Sequence, residues 1–185
     1  MALDQPDVVQ SLCLLEPSLL AVSNGEAFFK KAQPAFDAYQ AGRHEAALGI
    51  FMSLVSGLTW EACRALLEER IPGSVAQAVK DVDTFFGVEL PGLGGWKFGA
   101  EEAARIRQPA LSVLGAQTQP LWVEVDERLQ AWLPKIEQCK IDGAGHLLHI
   151  QRPTAVARGI ADFLGRHAMS RTEAVMAHNQ NAAAR

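Results

Sequence analysis

The 185-residue sequence lacks the features that mark several classes of protein. Cysteine is scarce: Cys13, Cys63 and Cys139 lie far apart, without the C-x-x-C spacing of a zinc or redox site. An excess of one charge is also missing, since 17 basic and 21 acidic residues give a net charge of only -4. We therefore expect free thiols in a reducing compartment, no metal or other cofactor, and no surface for nucleic acid or an anionic membrane.

Long hydrophobic runs are missing too. The apolar stretch at residues 8–22 is interrupted by Glu16 and Pro17, and no basic region precedes it. It fits neither a membrane span nor a secretory signal, so we expect a cytoplasmic protein. What is present is an ordinary globular balance, with 49% hydrophobic and 21% charged residues, in a chain long enough for one sizeable core.

Three short apolar segments have the pattern of buried strands, at residues 8–15, 109–115 (PALSVLG) and 136–141. Amphipathic patterns at residues 120–133 and 153–167 follow the second and third segments and predict helices. This alternation predicts an α/β protein with a parallel sheet and right-handed crossovers. A sheet of three strands leaves its first strand at an exposed edge, so self-association through that edge is one expected interaction.

The segment between the first two predicted strands has a different pattern. From residue 25 to 96, alanine, leucine and phenylalanine recur at helical spacing, punctuated by glycines and by Pro72-Gly73. The pattern predicts three or four short helices without a strand among them. We predict that the segment ends in a loop at Leu90–Gly95 (LPGLGG). The polar, alanine-rich residues 169–185 are predicted to be a flexible tail.

The most distinctive local pattern is DGAGHLLH at residues 142–149, where a predicted strand runs into a turn with two glycines and then His146. Such a turn projects the imidazole from the carboxyl end of the sheet, where ligands of open α/β sheets bind. Histidine moves protons near neutral pH, so His146 is a candidate catalytic base. Two alternatives stay open: a loop histidine that only bonds to backbone, and a metal ligand together with His149, although no third ligand has suitable spacing.

Together these segments resemble the C-terminal part of an α/β-hydrolase. The resemblance rests on PALSVLG, on the following helix with WLP, and on GAGHLLHIQRPTAVARGIADFL, because the family's catalytic histidine follows the last strand in a G-x-G-H turn. The beginning, ALDQPDVVQSLCLLEP, resembles the helix end and strand that follow the nucleophile elbow. The resemblance implies that residues 1–24 and 97–168 form part of the hydrolase core and that residues 25–96 form a helical cap.

The resemblance also implies an acid that orients His146. The commonest family position, after PALSVLG, holds Thr118, which cannot stabilise an imidazolium as a carboxylate does. Glu124 and Asp126 lie further along the next helix, and we expect structural or solvent-exposed roles for them. A second position, known from haloalkane-dehalogenase-like members, holds Glu16, which we predict to be the acid; the alternative is that Glu16 caps the next turn or is exposed.

The family's nucleophile elbow, G-x-S-x-G, does not occur in the sequence. In the family it would lie just before Met1, and the oxyanion-hole loop would lie further upstream. We therefore expect a truncated chain that is inactive alone, from a hydrolase that in complete form is esterase-like and acts on a small apolar substrate. Seven aromatic residues could line a pocket under the cap or simply form the core of the cap: Phe28, Phe29, Phe51, Trp60, Phe85, Phe86 and Trp96.

Two alternatives to the hydrolase interpretation remain at this point. The chain could be a non-catalytic ligand-binding or interaction module derived from the same fold. It could also be a gene product without function of its own, or one that pairs with a missing N-terminal half.

Overall fold

The computed structural model describes residues 1–168, so the predicted tail at residues 169–185 lies outside the described residues. Three strands form one parallel sheet in the order β1-β2-β3. The strands are β1 (Leu12–Leu15), β2 (Ala110–Gly115) and β3 (Glu137–Ile141). The predicted α/β class, with three parallel strands and flanking helices, is confirmed.

Helices surround the sheet and fill the segment between β1 and β2. Their bounds are α1 (Ser23–Gln40), α2 (His44–Ser56), α3 (Trp60–Arg70), α4 (Ser74–Lys80), α5 (Val82–Thr84), a π-helical turn (Phe85–Glu89), α6 (Leu90–Gly95), α7 (Ala100–Ala103), α8 (Pro120–Trp132), α9 (Leu148–Gln151) and α10 (Pro153–Arg166). As predicted, the described residues between β1 and β2 contain no strand, but the prediction of three or four helices is wrong, because α1 to α6 and a π-helical turn lie within residues 23–95.

The first strand is shorter than the sequence predicts. Of the expected residues 8–15 only Leu12–Leu15 are a strand, and Pro6–Val8 form a 3-10 turn. The N–H of Leu12 bonds to the carbonyl of Pro109, and Leu12 lies opposite Ala110, the first residue of β2. β1 therefore begins where β2 first offers it a partner, which the apolar pattern alone does not reveal.

The predicted loop at Leu90–Gly95 is wrong, because these residues form helix α6. The π-helical turn before it runs directly into α6, and the buried side chain of Leu90 packs in one cluster with Val82 and Phe86. Pro91 lies directly after the junction of the π-helical turn and α6, and it donates no hydrogen bond to the preceding turn. Burial of Leu90 therefore outweighs the low helix propensity of the glycines that follow.

The core of the sheet has two layers, one on each side of the central strand. On one side Leu111 and Val113 of β2 pack with Val156 and Phe163 of α10. Phe163 is fully buried, and burial of such a side chain contributes about 1.5–3 kcal/mol. On the other face of the sheet, residues of β1, α7 and α8 and of the segments directly after β1 and α8 form a second cluster: Leu14, Leu19, Ala103, Val125, Leu129 and Leu133.

The helices inserted between β1 and β2 share a core with the sheet domain. Phe28 of α1, Phe51 of α2 and Phe86 of the π-helical turn belong to the same buried cluster as Leu121 and Trp122 of α8. The inserted helices therefore rest on the amino-terminal turn of α8.

Within residues 1–168, no single helix is long and apolar enough to cross a membrane. Helices α2 and α3 reach that length and hydropathy only when taken as a pair, and the chain bends by 91° between them.

A carboxylate of α8 fixes the start of α1. The Glu124 oxygens accept hydrogen bonds from the N–H groups of Ser23 and Asn24, both at 2.8 Å, and from the two side chains of these residues. The Ser23 hydroxyl and the Asn24 backbone N–H are the main causes that lower the pKa of Glu124 from 4.5 to about 2. The expectation that Glu124 has a structural role fits these contacts.

The ionised Glu124 should stabilise the fold in a pH-dependent way. Because its pKa is lower in the folded chain, its contribution is present above about pH 4.5 and is lost as the pH falls towards about 2. We expect Glu124→Gln to lower the Tm by a few degrees near neutral pH and to match the wild type near pH 2. Glu127→Gln, at an exposed position of α8, is the control. If thermal unfolding shows that Glu124→Gln lowers the Tm equally at both pH values, the charge of Glu124 does not have this role.

Candidate functional site

Three side chains meet at the carboxyl edge of the sheet. Glu16 directly follows β1, Thr118 lies in the loop after β2, and His146 lies in the loop after β3. Because the strands are parallel neighbours, these loops emerge side by side. The structure thus brings together the two residues singled out in the sequence, His146 and Glu16, and adds Thr118 to them.

The turn before His146 is fixed by its two glycines. Gly143 has φ 68°, a left-handed conformation that side chains other than glycine rarely adopt. The N–H of Gly145 donates to the Gln151 side-chain oxygen at 2.7 Å, which ties the turn to α9. The predicted tight turn is therefore present, and it holds His146 at a defined place above the sheet.

A third glycine, at the end of β2, lets the histidine loop come close. A Cβ at Gly115 would lie 2.5 Å from the carbonyl oxygen of Ala144 and 2.6 Å from that of Gly145. Both distances are shorter than real carbon–oxygen contacts, so any side chain at Gly115 would push the loop away from β2. The sequence shows this glycine, but only the packed structure shows which backbone it approaches.

Glu16 is buried and fully hydrogen-bonded. The residue is 4% exposed and has φ 41°, an uncommon backbone conformation for a residue other than glycine. Its Oε1 accepts from the N–H of Gly115 at 2.8 Å, and its Oε2 accepts from Thr118 Oγ1 at 2.8 Å. Oε2 also lies 2.8 Å from Nδ1 of His146. The carboxyl is therefore neither exposed nor unpaired, which removes the main cost of burying it.

The contact between Glu16 and His146 sets the proton arrangement of the imidazole. Because Oε2 acts as an acceptor, Nδ1 must carry the proton of this hydrogen bond. In a neutral imidazole the other nitrogen, Nε2, then keeps its lone pair. Within residues 1–168 Nε2 has no hydrogen-bonding partner, and the His146 side chain is 20% exposed. An imidazole in this state can accept a proton through Nε2.

Trp122, which the sequence pattern does not single out, lies flat against the imidazole. The rings of Trp122 and His146 have centroids 4.0 Å apart and planes only 5° from parallel. Trp122 is 2% exposed and belongs to the first turn of α8. The sequence feature that could have identified Trp122 is an aromatic residue in the first turn of the helix after β2, because that turn starts at the same sheet edge as Glu16 and His146.

The remaining polar residues near this edge have other partners. Asp126 is buried and accepts from Ser112 Oγ at 2.5 Å and from Gln130 Nε2 at 2.6 Å, which fits the structural role expected for it. Burial, and then the charge of His146, lower the pKa of His149. His149 therefore stays neutral at neutral pH. Across residues 1–168, no cluster of three His, Cys, Asp or Glu side chains could hold a metal ion.

The three cysteines are free. Burial raises the pKa of Cys13, Cys63 and Cys139, which makes each thiol a poorer nucleophile at neutral pH. None of them forms a hydrogen bond with His146 in the described part of the chain. The cysteines are therefore packing residues in this fold.

The aromatic residues of the inserted helices are mostly core. Phe28, Phe51 and Phe86 are buried, whereas Phe29 is 36% and Trp96 is 50% exposed. A cavity of about 90 Å³ lies between α1, α2 and α8 and is lined in part by Phe28, Leu54, Leu121 and Trp122. It therefore shares Trp122 with the environment of His146.

The chain matches no protein-family model and no curated protein. Its fold is similar to a crystal structure of a "putative hydrolase" from Bacillus subtilis, with a TM-score of 0.55 and 22% sequence identity. The match covers 88% of this chain and 54% of the Bacillus subtilis protein. This chain thus spans about half the length of that protein. At this identity, the similarity shows that the two chains share an α/β fold with helices flanking a parallel sheet.

Proposed function

We propose that this chain belongs to the α/β-hydrolase superfamily and supplies two members of a catalytic triad, His146 as the base and Glu16 as the acid. The observation that carries the proposal is the 2.8 Å hydrogen bond between His146 Nδ1 and the buried carboxyl of Glu16. The bond lies at the carboxyl edge of the parallel sheet, where ligands of open α/β sheets bind. The shared fold with the Bacillus subtilis protein supports it.

In this mechanism Nε2 of His146 takes a proton from a nucleophile or from an attacking water, and later returns it to the leaving group. Glu16 holds the imidazole in the tautomer with Nδ1 protonated, and its charge stabilises the imidazolium that forms. The hydrogen bonds from Gly115 and Thr118 hold the carboxyl in place for this task. Thr118 would then orient Glu16 and would not itself be the acid.

The nucleophile and the oxyanion hole would come from polypeptide outside these 185 residues. The sequence contains no G-x-S-x-G, and Ser112, at the centre of the sheet, is buried and donates to Asp126. Without a nucleophile and an oxyanion hole, the main catalytic contributions are missing. Within residues 1–168 no strand pairs with the outer edge of β1, so this edge is where the sheet would be extended or where copies of the chain would associate.

We place the substrate beneath the inserted helices, which correspond to the cap, residues 25–96. The cavity beside Phe28 and Trp122 is apolar in most of its lining but measures only about 90 Å³, well below the range of roughly 300–1,000 Å³ for drug-sized ligands. A small apolar acyl or alkyl group fits it best. The free, partly or fully buried thiols support a reducing, cytoplasmic location for this activity.

The 185-residue chain alone should not turn over esters. We expect its rate with short-chain p-nitrophenyl esters to equal that of buffer, because a base without a nucleophile and an oxyanion hole has little to act on. His146→Ala is the matched control and should give the same rate. A rate above buffer that His146→Ala abolishes would show that the chain is catalytically complete and that this part of the proposal is wrong.

The role of Glu16 can be tested after co-expression with the polypeptide encoded in frame directly upstream. In a protein that hydrolyses esters, we expect His146→Ala to abolish turnover and Glu16→Gln to lower kcat by on the order of 10⁴-fold, as loss of a triad acid does. Glu127→Gln, an exposed change of the same kind, should leave kcat unchanged. If Glu16→Gln is as active as the wild type while His146→Ala is inactive, the acid has been assigned to the wrong residue.

A further inference from the structure

The imidazole of His146 has contacts of two kinds. Its Nδ1 is bound to Glu16, and one face lies on the indole ring of Trp122 at a centroid distance of 4.0 Å. The hydrogen bond restrains the position of Nδ1, but its tolerance in distance and angle still allows coupled changes of the side-chain torsions χ1 and χ2 that tilt the ring plane. A parallel ring at van der Waals distance fixes the plane. The two contacts together define both the position of Nδ1 and the direction of Nε2.

Trp122 is itself held in place. It is 2% exposed, and the centroids of its ring and of the Phe28 ring are 6.3 Å apart, with an interplanar angle of 64°. Phe28 in turn packs edge-on against Phe51 at 6.1 Å. Trp122 therefore has little freedom to turn away from His146, because α1 and α2 pack against it.

We propose that Trp122 is a positioning residue for the base, one that keeps the His146 ring in the plane in which Nδ1 donates to Glu16. The inference rests on the proposed role of His146 as base. The indole face also attracts a cation more strongly than other aromatic faces do, so it favours the imidazolium that forms when Nε2 accepts a proton. Trp122 touches no reacting atom in this scheme and acts only through His146.

The test uses proton NMR of the 185-residue chain, which needs no nucleophile. In the wild type we expect the carbon-bound ring protons of His146 to be shifted upfield by the indole, and the Nδ1–H to give a slowly exchanging downfield signal. His146→Gln assigns both. Trp122→Leu should abolish the upfield shift and lose the Nδ1–H signal by fast exchange, while Trp122→Phe should retain the Nδ1–H signal.

Trp132 provides the matched control. It is the last residue of the same helix, α8, ten positions after Trp122, and its ring centroid lies 6.0 Å from that of Phe98. Trp132→Leu should leave both His146 signals as in the wild type. An Nδ1–H signal that persists in Trp122→Leu would overturn the proposal. If Trp122→Leu does not fold, His146 ring protons without an upfield shift in the wild type would overturn it instead.

The NMR result and the proposed activity can fail separately. Loss of the Nδ1–H signal in Trp122→Leu, combined with no hydrolysis by the co-expressed protein, would leave Trp122 as the residue that orients His146 and remove the hydrolase proposal. In an active co-expressed protein, Trp122→Leu should lower kcat at least tenfold with KM little changed, and Trp122→Phe should restore most of kcat. Equal kcat in wild type and Trp122→Leu would remove the positioning role.

Discussion

The buried carboxyl of Glu16 is the constraint on which the whole carboxyl edge of the sheet depends. A carboxyl at the end of an apolar strand is costly to bury unless every oxygen has a partner. Gly115, Thr118 and His146 supply those partners from the ends of β2 and β3. One side chain thus fixes the relative positions of three loops, and a displacement of any of them would leave a buried polar group unpaired.

Helix α8 connects this edge to the inserted helices. Its first turn carries Trp122, which contacts both His146 and Phe28, and its next residues include Glu124, which caps α1. The inserted helices are therefore docked through apolar and charged contacts on one helix. The same contacts that hold α1 in place also limit the motion of the ring against which the histidine lies.

The sequence predicts the three-stranded parallel sheet well, and two local structures poorly. The apolar segments around β2 and β3 are recognisable because strands buried on both faces need continuous apolar runs. His146 was singled out from its glycine turn, and Glu16 from the resemblance to α/β-hydrolases, in which this position holds the acid in some members. The helix at Leu90–Gly95 was missed because the burial of Leu90 depends on Val82 and Phe86, which local glycine content does not report.

The sequence by itself determined which segments are apolar enough to form the sheet, and which polar residues stand at their ends. It did not determine the partners, because a hydrogen bond between residues 16 and 146 spans 130 positions and exists only once the strands are placed side by side. The tertiary structure alone decided that the Thr118 hydroxyl donates to the carboxyl of Glu16. It also decided that the indole of Trp122 lies on the imidazole, since ring contacts depend on how α8 packs against the sheet edge.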